Sequence, residues 1–449
     1  MRFLIPALIG VLFCAPIARA ADRPNIVFVI TDDQRWDAMS CAGHPFLKTP
    51  NMDRLAREGA MFQNAFVTTP LCSPARSSFL TGQYVHTTGV IANGAAMNEL
   101  GHRLITFPRL LKDAGYESAY VGKWHMGNDD SPRPGFDRWV SFKGQGRYND
   151  PELNVDGKTE KKEGYVTDII SDYAVEFINR EHAKPFVLYV GHKAVHGPFT
   201  PAERHAGMYE TEPLPQRPNV KDDMSGKPAI GARAAAGGGK NPAATGVGEK
   251  LIRNQLRCLL SVDEGLGRIL DALDAKKLAD DTLVIFTSDN GYLWNEHQLG
   301  DKRAAYEESI RVPLLMRYPK LIKPGTKPEQ IALNVDIAPT VLQLGGAPVA
   351  KGVHGKSLVP VLEGKPAEWR QTALLEYFFE KPFPRVPSWQ AVRTDAWKYI
   401  HYPDVENADE LYDLKTDPYE MKNLIADAGS AEQLKSMKAE LEKQLNETK

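Results

Sequence analysis

Cysteine is scarce in this sequence, and neither sign of charge is in clear excess. Only 4 of the 449 residues are cysteine, which excludes a small fold held together by disulfides. The 55 basic residues nearly match the 57 acidic ones, so the net charge is −2. Because phosphate contacts need a basic excess, this balance argues against a nucleic-acid partner. The length suits one large domain together with a smaller one.

Long apolar runs are also missing, except at the amino end. Residues 3–15 are almost wholly apolar, follow a positively charged start and precede the small-x-small sequence Ala18-Arg19-Ala20. This pattern predicts a secretory signal peptide over residues 1–20 and an exported protein, periplasmic or secreted. A membrane anchor is the alternative, but the run is shorter than the ~20 residues of a membrane span. No later segment approaches that length, so we expect no stable membrane insertion.

Short β-branched runs that end abruptly in polar residues recur along the chain. They cover residues 25–30, 118–121, 185–190 and 282–286. Helical patterns alternate with them, at residues 51–58, 107–114 and 250–274. Runs that are apolar throughout are typical of strands buried on both faces. The alternation therefore predicts an α/β domain with a large, mostly parallel mixed sheet sandwiched by helices and a site beyond the carboxyl ends of the strands.

The pattern changes after about residue 345. Residues 373–379, 389–393 and 397–402 are typical of antiparallel strands, and residues 431–445 of a terminal helix. We predict a catalytic domain over residues 21–345 and a smaller α+β subdomain with an antiparallel sheet over residues 346–449. Within the first, residues 231–248 are mainly glycine and alanine without an apolar period. They predict a long mobile surface loop, either a lid or a linker.

Cys72 stands at the start of a predicted helix. Pro74 suits the first turn of this helix, and Gly82 suits its end. A helix N-terminus favours an anion, and Arg76, one turn further on, can face the same spot. The competing interpretation is a buried, inert cysteine.

Two acidic pairs follow two of the predicted strands: Asp32 with Asp33, and Asp289 with Asn290. Four oxygen ligands from two loops suit a hard cation, Ca²⁺ or Mg²⁺. Either pair alone is more simply explained as a turn or helix cap. Their shared place at the carboxyl edge of the sheet favours a metal site.

Basic residues follow the predicted strands as well. Lys123 and His125 come after the second, His196 after the third, and Lys302 lies beyond the fourth. A histidine suits proton transfer near neutral pH, although a lone histidine or lysine is more often structural or solvated. His192, four residues before His196, would form a zinc pair with it on a helix. The strand-then-loop pattern there argues against zinc.

Taken together, these segments resemble the type I, formylglycine-dependent sulfatases of the alkaline-phosphatase-like superfamily. Cys72-x-Pro74-x-Arg76, with the Leu-Thr-Gly ending at Gly82, resembles the sulfatase signature. The other similar segments are residues 25–33, 122–127, 288–291, 301–303, 311–313, 393–399 and 410–418. The resemblance covers nearly the whole chain after residue 20, and residues 231–248 are its main departure.

The resemblance implies a covalent mechanism. Cys72 would be oxidised to formylglycine by a separate maturation enzyme, and a hydroxyl of the hydrated aldehyde would attack the sulfur of a sulfate ester. Asp32, Asp33, Asp289 and Asn290, with the modified Cys72, would hold the cation. The resemblance implies that this cation is calcium, and Mg²⁺ remains an alternative.

The resemblance also implies roles for the basic residues. Arg76 would hold the hydrate, and Lys123 and Lys302 would bind sulfate oxygens. His125 is the candidate base for the second hydroxyl. His196, with Lys302, is the candidate acid for the leaving oxygen. The roles of the two histidines are exchangeable at this stage.

These features predict a sulfuric ester hydrolase that acts on a sulfated carbohydrate. Residues 191–200 and 376–384 are similar to bacterial sulfatases of N-acetylglucosamine 6-sulfate, which favours a 6-O-sulfated glycosaminoglycan. The alternatives are other sulfated polysaccharides or aryl sulfates, a phosphodiester or phosphonate monoester hydrolase of the same superfamily, and a non-catalytic glycan-binding protein. Candidate substrate contacts, each also open to a structural role, are Asn93, His102, His354 and Arg385. A pairing of Cys41 with Cys258 stays open.

Overall fold

The computed structural model describes residues 23–235, 247–366 and 368–449. The predicted signal peptide lies outside these residues, so its prediction stands untested. Across the three described ranges, no helix combines the length and the apolar character that crossing a membrane requires.

Strands and helices alternate through most of the chain. The strands are β1 (Asn25–Thr31), β2 (Ala60–Met61), β3 (Ala65–Phe66), β4 (Glu117–Gly122), β5 (Arg138–Ser141), β6 (Glu152–Val155), β7 (Lys158–Lys161), β8 (Phe186–Gly191), β9 (Thr282–Ser288), β10 (Leu293–Trp294), β11 (Gly300–Asp301), β12 (Leu314–Arg317), β13 (Ala332–Leu333), β14 (Ala373–Tyr377), β15 (Trp389–Arg393), β16 (Trp397–His401) and β17 (Glu410–Asp413). The helices are α1 (Pro50–Glu58), α2 (Cys72–Thr81), α3 (Val85–Thr88), α4 (Asn98–Arg103), α5 (Phe107–Asp113), α6 (Val166–Asn179), α7 (Pro228–Ala235), α8 (Glu249–Ala275), α9 (Glu307–Ile310), α10 (Ile337–Leu344), α11 (Val359–Leu362) and α12 (Ala431–Glu447).

A nine-stranded mixed sheet forms the centre of the molecule, in the order β2-β12-β9-β1-β8-β4-β5-β6-β7. The five central strands run parallel to one another, in the order β9, β1, β8, β4 and β5. Antiparallel strands flank this group on both sides. Every residue of β1, β8 and β9 is buried, as expected for strands covered on both faces. The predicted α/β fold and its four strands are confirmed.

Helices cover both faces of this sheet. Val27 and Val29 of β1 pack in the same apolar cluster as Leu256 of α8. Their neighbour Phe28 points to the opposite face and packs with Phe79 of α2. The alternation follows from the two-residue period of a strand. It places α2, the helix that begins at Cys72, directly on the sheet.

A second sheet, β14-β15-β16-β17, is antiparallel throughout. One face, which includes Leu375, packs against Tyr306 of the main domain. The opposite face, which includes Leu374, packs against Leu441 of α12. The predicted antiparallel sheet and terminal helix are confirmed, with β17 as an additional strand. The boundary between residues 345 and 346 stays a prediction.

The loop prediction for residues 231–248 was wrong at its start. Residues 231–235 belong to α7, and residues 247–248 lead directly into α8. Alanine has the highest helix propensity of the twenty residues, so an alanine-rich stretch forms a helical turn without an apolar stripe. Residues 236–246 lie outside the described part of the chain.

Candidate active site

The polar segments that follow β1, β8 and β9 meet at the carboxyl edge of the sheet. Backbone hydrogen bonds join them: Asp32 N donates to Ala194 O at 3.0 Å, and Val195 N donates to Asp32 O at 2.7 Å. Asp289 N donates to Thr31 O at 3.1 Å. The parallel register carries on past the strand ends, so these loops are held as rigidly as the sheet itself.

Helix α2 brings Cys72 to the same edge. It begins at Cys72, is buried along its whole length and ends at Gly82, whose φ of 72° suits a glycine. Asn93 Oδ1 accepts a hydrogen bond from Ser73 N at 3.0 Å, so Asn93 satisfies a free N–H group in the first turn. The predicted substrate contact Asn93 is thus a brace for the helix that carries Cys72.

Three carboxylates crowd together beside this helix. Asp32, Asp33 and Asp289 are at most 2% exposed and offer oxygens within 4.8 Å of one another. Burial and the two neighbouring carboxylates together raise the pKa of Asp33 to about 7, against the pull of Lys302.

Asn290 completes the acidic group. Its Nδ2 donates to Asp33 Oδ1 at 2.6 Å, while its buried Oδ1 has no hydrogen-bond partner. Crowded carboxylates and an unpartnered carbonyl oxygen are the donor set of a hard divalent cation. The four residues therefore fit the predicted metal site.

Arg76 connects this acidic cluster to the loop after β4. Its Nε donates to Asp289 Oδ2 at 2.8 Å, and its Nη2 donates to Asp32 Oδ2 at 3.3 Å. Its Nη1 donates to Lys123 O at 2.7 Å. A fully buried guanidinium with three acceptors is a fixed element of the site.

Two lysines complete the charge pattern around Cys72. Lys123 Nζ donates to Asp32, and Lys302 Nζ donates to Asp33. Lys302 Nζ also lies 3.4 Å from Cys72 Sγ, and Asp32 Oδ1 lies 3.6 Å from the same sulfur. Burial raises the pKa of the Cys72 thiol to about 12, and Asp32 adds to this increase. Cys72 is thus buried, as the competing interpretation has it, but its surroundings are charged rather than apolar.

His125 approaches from the loop after β4 with a φ of 54°. Its Nε2 lies 3.1 Å from the amide of Gln145, and its backbone carbonyl accepts from Ser73 Oγ. Burial holds the pKa of His125 well below its usual value, and Lys123 adds to this effect. Gln145 escaped the sequence analysis because a single glutamine between two glycines carries no pattern.

His196 reaches the same place from the loop after β8. One of its ring nitrogens lies within 4.8 Å of ligand atoms on Asp32 and Cys72. Its Nδ1 lies 3.1 Å from Gly197 O. Burial lowers the pKa of His196 well below its usual value, and Lys123 adds to this effect. The structure thus brings His125 and His196 to Cys72, as predicted.

The structure does not bring His354 to Cys72, and the role of His102 stays a prediction. His354 Nδ1 accepts from Tyr84 N at 3.1 Å, just beyond the far end of α2. A helix of this length rises about 15 Å between its ends, so His354 lies far from the sulfur. His102 is paired with Asp129 at 2.7 Å.

The role of Arg385 as a substrate contact stays a prediction. Its segment, which follows β14, is tied to the site because Glu380 Oε2 accepts from Arg303 Nε at 2.8 Å, next to Lys302. His192, by contrast, is not part of any potential metal cluster that includes His196 in the described residues. The zinc-pair alternative therefore has no structural support.

Within the described residues, Cys41 and Cys258 are not linked. Cys41 and Cys258 are both free thiols in the structure. Burial raises the pKa of each to about 12. The question of their pairing is answered: the two do not form a disulfide here.

A mixed sheet covered by helices, with a carboxylate cluster at its carboxyl edge beside the first residue of a buried helix, has the alkaline-phosphatase-like fold. The chain belongs to the sulfatase family. Residues 24–347 match the family model described as Sulfatase, and residues 295–448 match the model described as N-sulphoglucosamine sulphohydrolase, C-terminal. The protein is accordingly a sulfuric ester hydrolase.

Individual relatives agree with this family. The chain is 36% identical to an N-acetylglucosamine-6-O-sulfatase of Bacteroides thetaiotaomicron over 99% of this chain and 90% of that protein. It is 30% identical to an ulvan-active sulfatase of Formosa agariphila, over 94% of this chain and 80% of that protein. A protein solved in complex with its substrate D-glucosamine-2-N,6-O-disulfate superposes with a TM-score of 0.85 at 34% identity, over 95% of this chain and 98% of that one.

Proposed function

We propose that this sulfatase removes the 6-O-sulfate from glucosamine residues of a glycosaminoglycan-type carbohydrate outside the cytoplasm, with a formylglycine at position 72 and a bound calcium ion. The observation that carries the proposal is that charged groups of both signs lie around the Cys72 side chain. Lys302 Nζ lies 3.4 Å from its sulfur, and the acidic cluster lies beside it. Anion-binding cations and a cation-binding cluster thus surround one potential nucleophile.

The protonation of Cys72 supports its modification. With a pKa of about 12, the thiol is almost wholly protonated at neutral pH and is a poor nucleophile. Oxidation to formylglycine by a maturation enzyme would supply a hydrated aldehyde, of which one hydroxyl attacks sulfur and the other allows sulfate to leave. The helix N-terminus would favour the negative charge that develops there.

Asp32, Asp33, Asp289 and Asn290, together with the modified side chain of residue 72, would hold the cation. When bound, a calcium ion would neutralise the crowded carboxylates and polarise a sulfate oxygen. Magnesium meets the same oxygen ligands and is the alternative ion.

The fixed cations of the chain would bind the sulfate group. Arg76 is anchored by Asp289 and by Lys123 O, so its guanidinium cannot turn away from residue 72. Lys123 and Lys302 would donate to sulfate oxygens from opposite sides of the cluster. Donors that are already in place stabilise the charge of the transition state without reorganisation.

Two histidines would move the protons. The lowered pKa of His125, caused by burial and Lys123, keeps the ring neutral and suits a base for the second hydroxyl. We assign His196, with Lys302, to the protonation of the leaving oxygen. Burial opposes the charge of Lys302, yet Asp33 holds the pKa of this lysine well above its usual value, so Lys302 keeps its proton.

The choice of carbohydrate follows the relatives. The N-acetylglucosamine-6-O-sulfatase and the glucosamine-disulfate complex both cover nearly the whole chain. The ulvan-active sulfatase, at 30% identity, makes other sulfated polysaccharides the alternative.

The test is sulfate release from glucosamine 6-sulfate, N-acetylated and N-sulfated. The protein is co-expressed with a maturation enzyme, and conversion of residue 72 is checked by peptide mass. We expect release by the wild type and by the control Cys41→Ala, and none by Cys72→Ala.

Two results would contradict the proposal. Release that persists in Cys72→Ala would exclude the nucleophile. Converted protein that cleaves a phosphonate monoester or a galactose sulfate, but neither glucosamine, would exclude the substrate.

A further inference from the structure

Lys193 is a buried lysine without a counter-ion. Its side chain is 1% exposed, and the salt bridges of the described residues include none to it. Burial lowers the pKa of Lys193 to about 8, and Lys123 adds to this decrease. Because burying an unpaired ammonium is costly, its position calls for a compensating role.

The ammonium is directed at the backbone beside His196. Lys193 Nζ donates to Gly197 O at 2.9 Å, and the same oxygen lies 3.1 Å from His196 Nδ1. One carbonyl oxygen therefore serves both side chains. With the Nδ1 proton shared with this oxygen, the proton for the leaving oxygen is the one on Nε2 of the doubly protonated ring.

Tyr148 forms a hydrogen bond with the neighbouring carbonyl, that of His196. Its hydroxyl donates to His196 O at 2.6 Å. Its ring centroid lies 4.9 Å from Lys193 Nζ, so a cation–π contact offsets part of the burial cost. Lys193 and Tyr148 thus hold two consecutive carbonyls, those of His196 and Gly197, and touch each other.

The other hydrogen bonds of this loop are mostly made by the backbone. Backbone bonds pair Ala194 and Val195 with Asp32. Past Val195 the chain leaves the sheet, and the direction of the His196 ring depends on what holds the next two carbonyls. Lys193 holds the carbonyl of Gly197, and Tyr148 holds that of His196 together with a longer backbone bond of 3.4 Å from Phe199 N.

We propose that Lys193 and Tyr148 form a clamp that positions His196 to protonate the leaving oxygen. The inference rests on the proposed function, because it takes His196 as the proton donor. Both residues act through His196, so they are positioning residues. A misplaced proton donor should lower the rate most for substrates whose leaving group is poor, because such a group needs the proton most.

The test is a series of aryl sulfates, from 4-nitrophenyl sulfate with its good leaving group to phenyl sulfate with a poor one. In Lys193→Met we expect kcat for phenyl sulfate to fall about 100-fold and kcat for 4-nitrophenyl sulfate to fall less than about threefold. Tyr148→Phe should show the same trend with about a tenfold loss for phenyl sulfate. The series needs no assumption about the natural sugar.

Tyr165→Phe is the matched control. Its hydroxyl donates to Thr200 O at 2.9 Å, an equivalent bond beyond the clamp, and its ring stacks on Tyr148. We expect this variant to leave the leaving-group dependence unchanged. In a His196→Ala background, Lys193→Met should cost nothing more, because there is no ring left to position.

Three results would overturn the clamp: an equal loss for all leaving groups, native kcat for phenyl sulfate in both clamp variants, or a further loss of activity in the His196→Ala background. Tyr148→Phe changes a single oxygen and protects the test against misfolding of Lys193→Met. Failure of the proposed function is distinguishable, since it is read on the converted wild type, which would then release no sulfate from either glucosamine 6-sulfate.

Discussion

Two groups of buried charge in this molecule differ in how their carboxylates are arranged. In the acidic cluster of Asp32, Asp33 and Asp289, the carboxylates adjoin one another, and the pKa of Asp33 is raised to about 7. Beneath the antiparallel sheet, Glu307 instead lies 2.9 Å from Lys398 Nζ and 3.3 Å from Arg393 Nη2.

The pKa of Glu307 is shifted in the opposite direction from that of Asp33. Although burial opposes it, Arg393 and Lys398 hold the pKa of Glu307 well below its usual value. Buried charge that the chain neutralises by itself is structural, and it joins the second sheet to the main domain. Where carboxylates adjoin one another, even with Arg76, Lys123 and Lys302 beside them, we expect a further cation to bind.

The largest effect should come from Asp33→Asn. The change removes a predicted ligand and the partner of Lys302, so we expect sulfate release to fall more than about 100-fold, beyond the loss typical of an outer partner of a ligand. Bound metal, measured by elemental analysis, should be lost with the activity. Glu307→Gln is the contrasting variant and should keep its metal. Full metal content and activity in Asp33→Asn would remove the acidic cluster from the mechanism.

The second effect concerns stability. Lys398→Met leaves Glu307 and Glu420 without their shared cation, which lies 2.7 Å from Glu420 Oε1. We expect the free energy of unfolding to drop by about 3–5 kcal/mol, measured by urea denaturation. Lys415→Met, at an exposed pair with Asp395, should change it by less than about 1 kcal/mol. Equal effects of the two variants would show that the buried group contributes nothing special.

The smallest effect is a pH dependence of the metal-free protein. Folding raises the pKa of Asp33 to about 7 from an unfolded value of about 3.9. The protonated form is therefore favoured in the fold, and its contribution is full below about pH 4 and lost as pH rises towards 7. In chelator, we expect the Tm of the wild type to fall across this window relative to Asp33→Asn.

Calcium added at pH 7.5 should recover most of that difference, because the ion takes the place of the proton. Parallel Tm profiles of wild type and Asp33→Asn in chelator would show that Asp33 has an ordinary pKa. That result would also weaken the contrast with Glu307.

Much of this site was predictable because its residues follow strands. A continuous apolar run indicates a buried parallel strand, and the carboxyl ends of parallel strands lie at one edge of the sheet. This local logic, with the resemblance to sulfatases, was enough to bring Asp32, Asp289, Lys123 and His196 together. The helix at Cys72 was similarly local, because Pro74 and the terminal glycine mark its ends.

The supporting residues were not predictable in this way. Gln145, Tyr148 and Lys193 meet the two histidines through loops, and no period in the sequence connects such contacts. The predicted substrate contact His354 shows the same limit, since it lies at the far end of the Cys72 helix, whereas Asn93 braces the near end and stays a prediction. Residues 231–235 continue a helix whose first turn is packed through Ala229 and Ile230, and their alanines favour that continuation.

The sequence by itself determined the strand and helix pattern and the chemical types gathered at the strand ends. Both depend on residues a few positions apart, where the chain's own geometry sets the distances. Only the tertiary structure decided that Lys302 lies 3.4 Å from Cys72, across 230 residues, and that Asn290 Oδ1 stays without a partner. Such contacts depend on how whole layers pack, and packing is settled by the complete core rather than by any local run of residues.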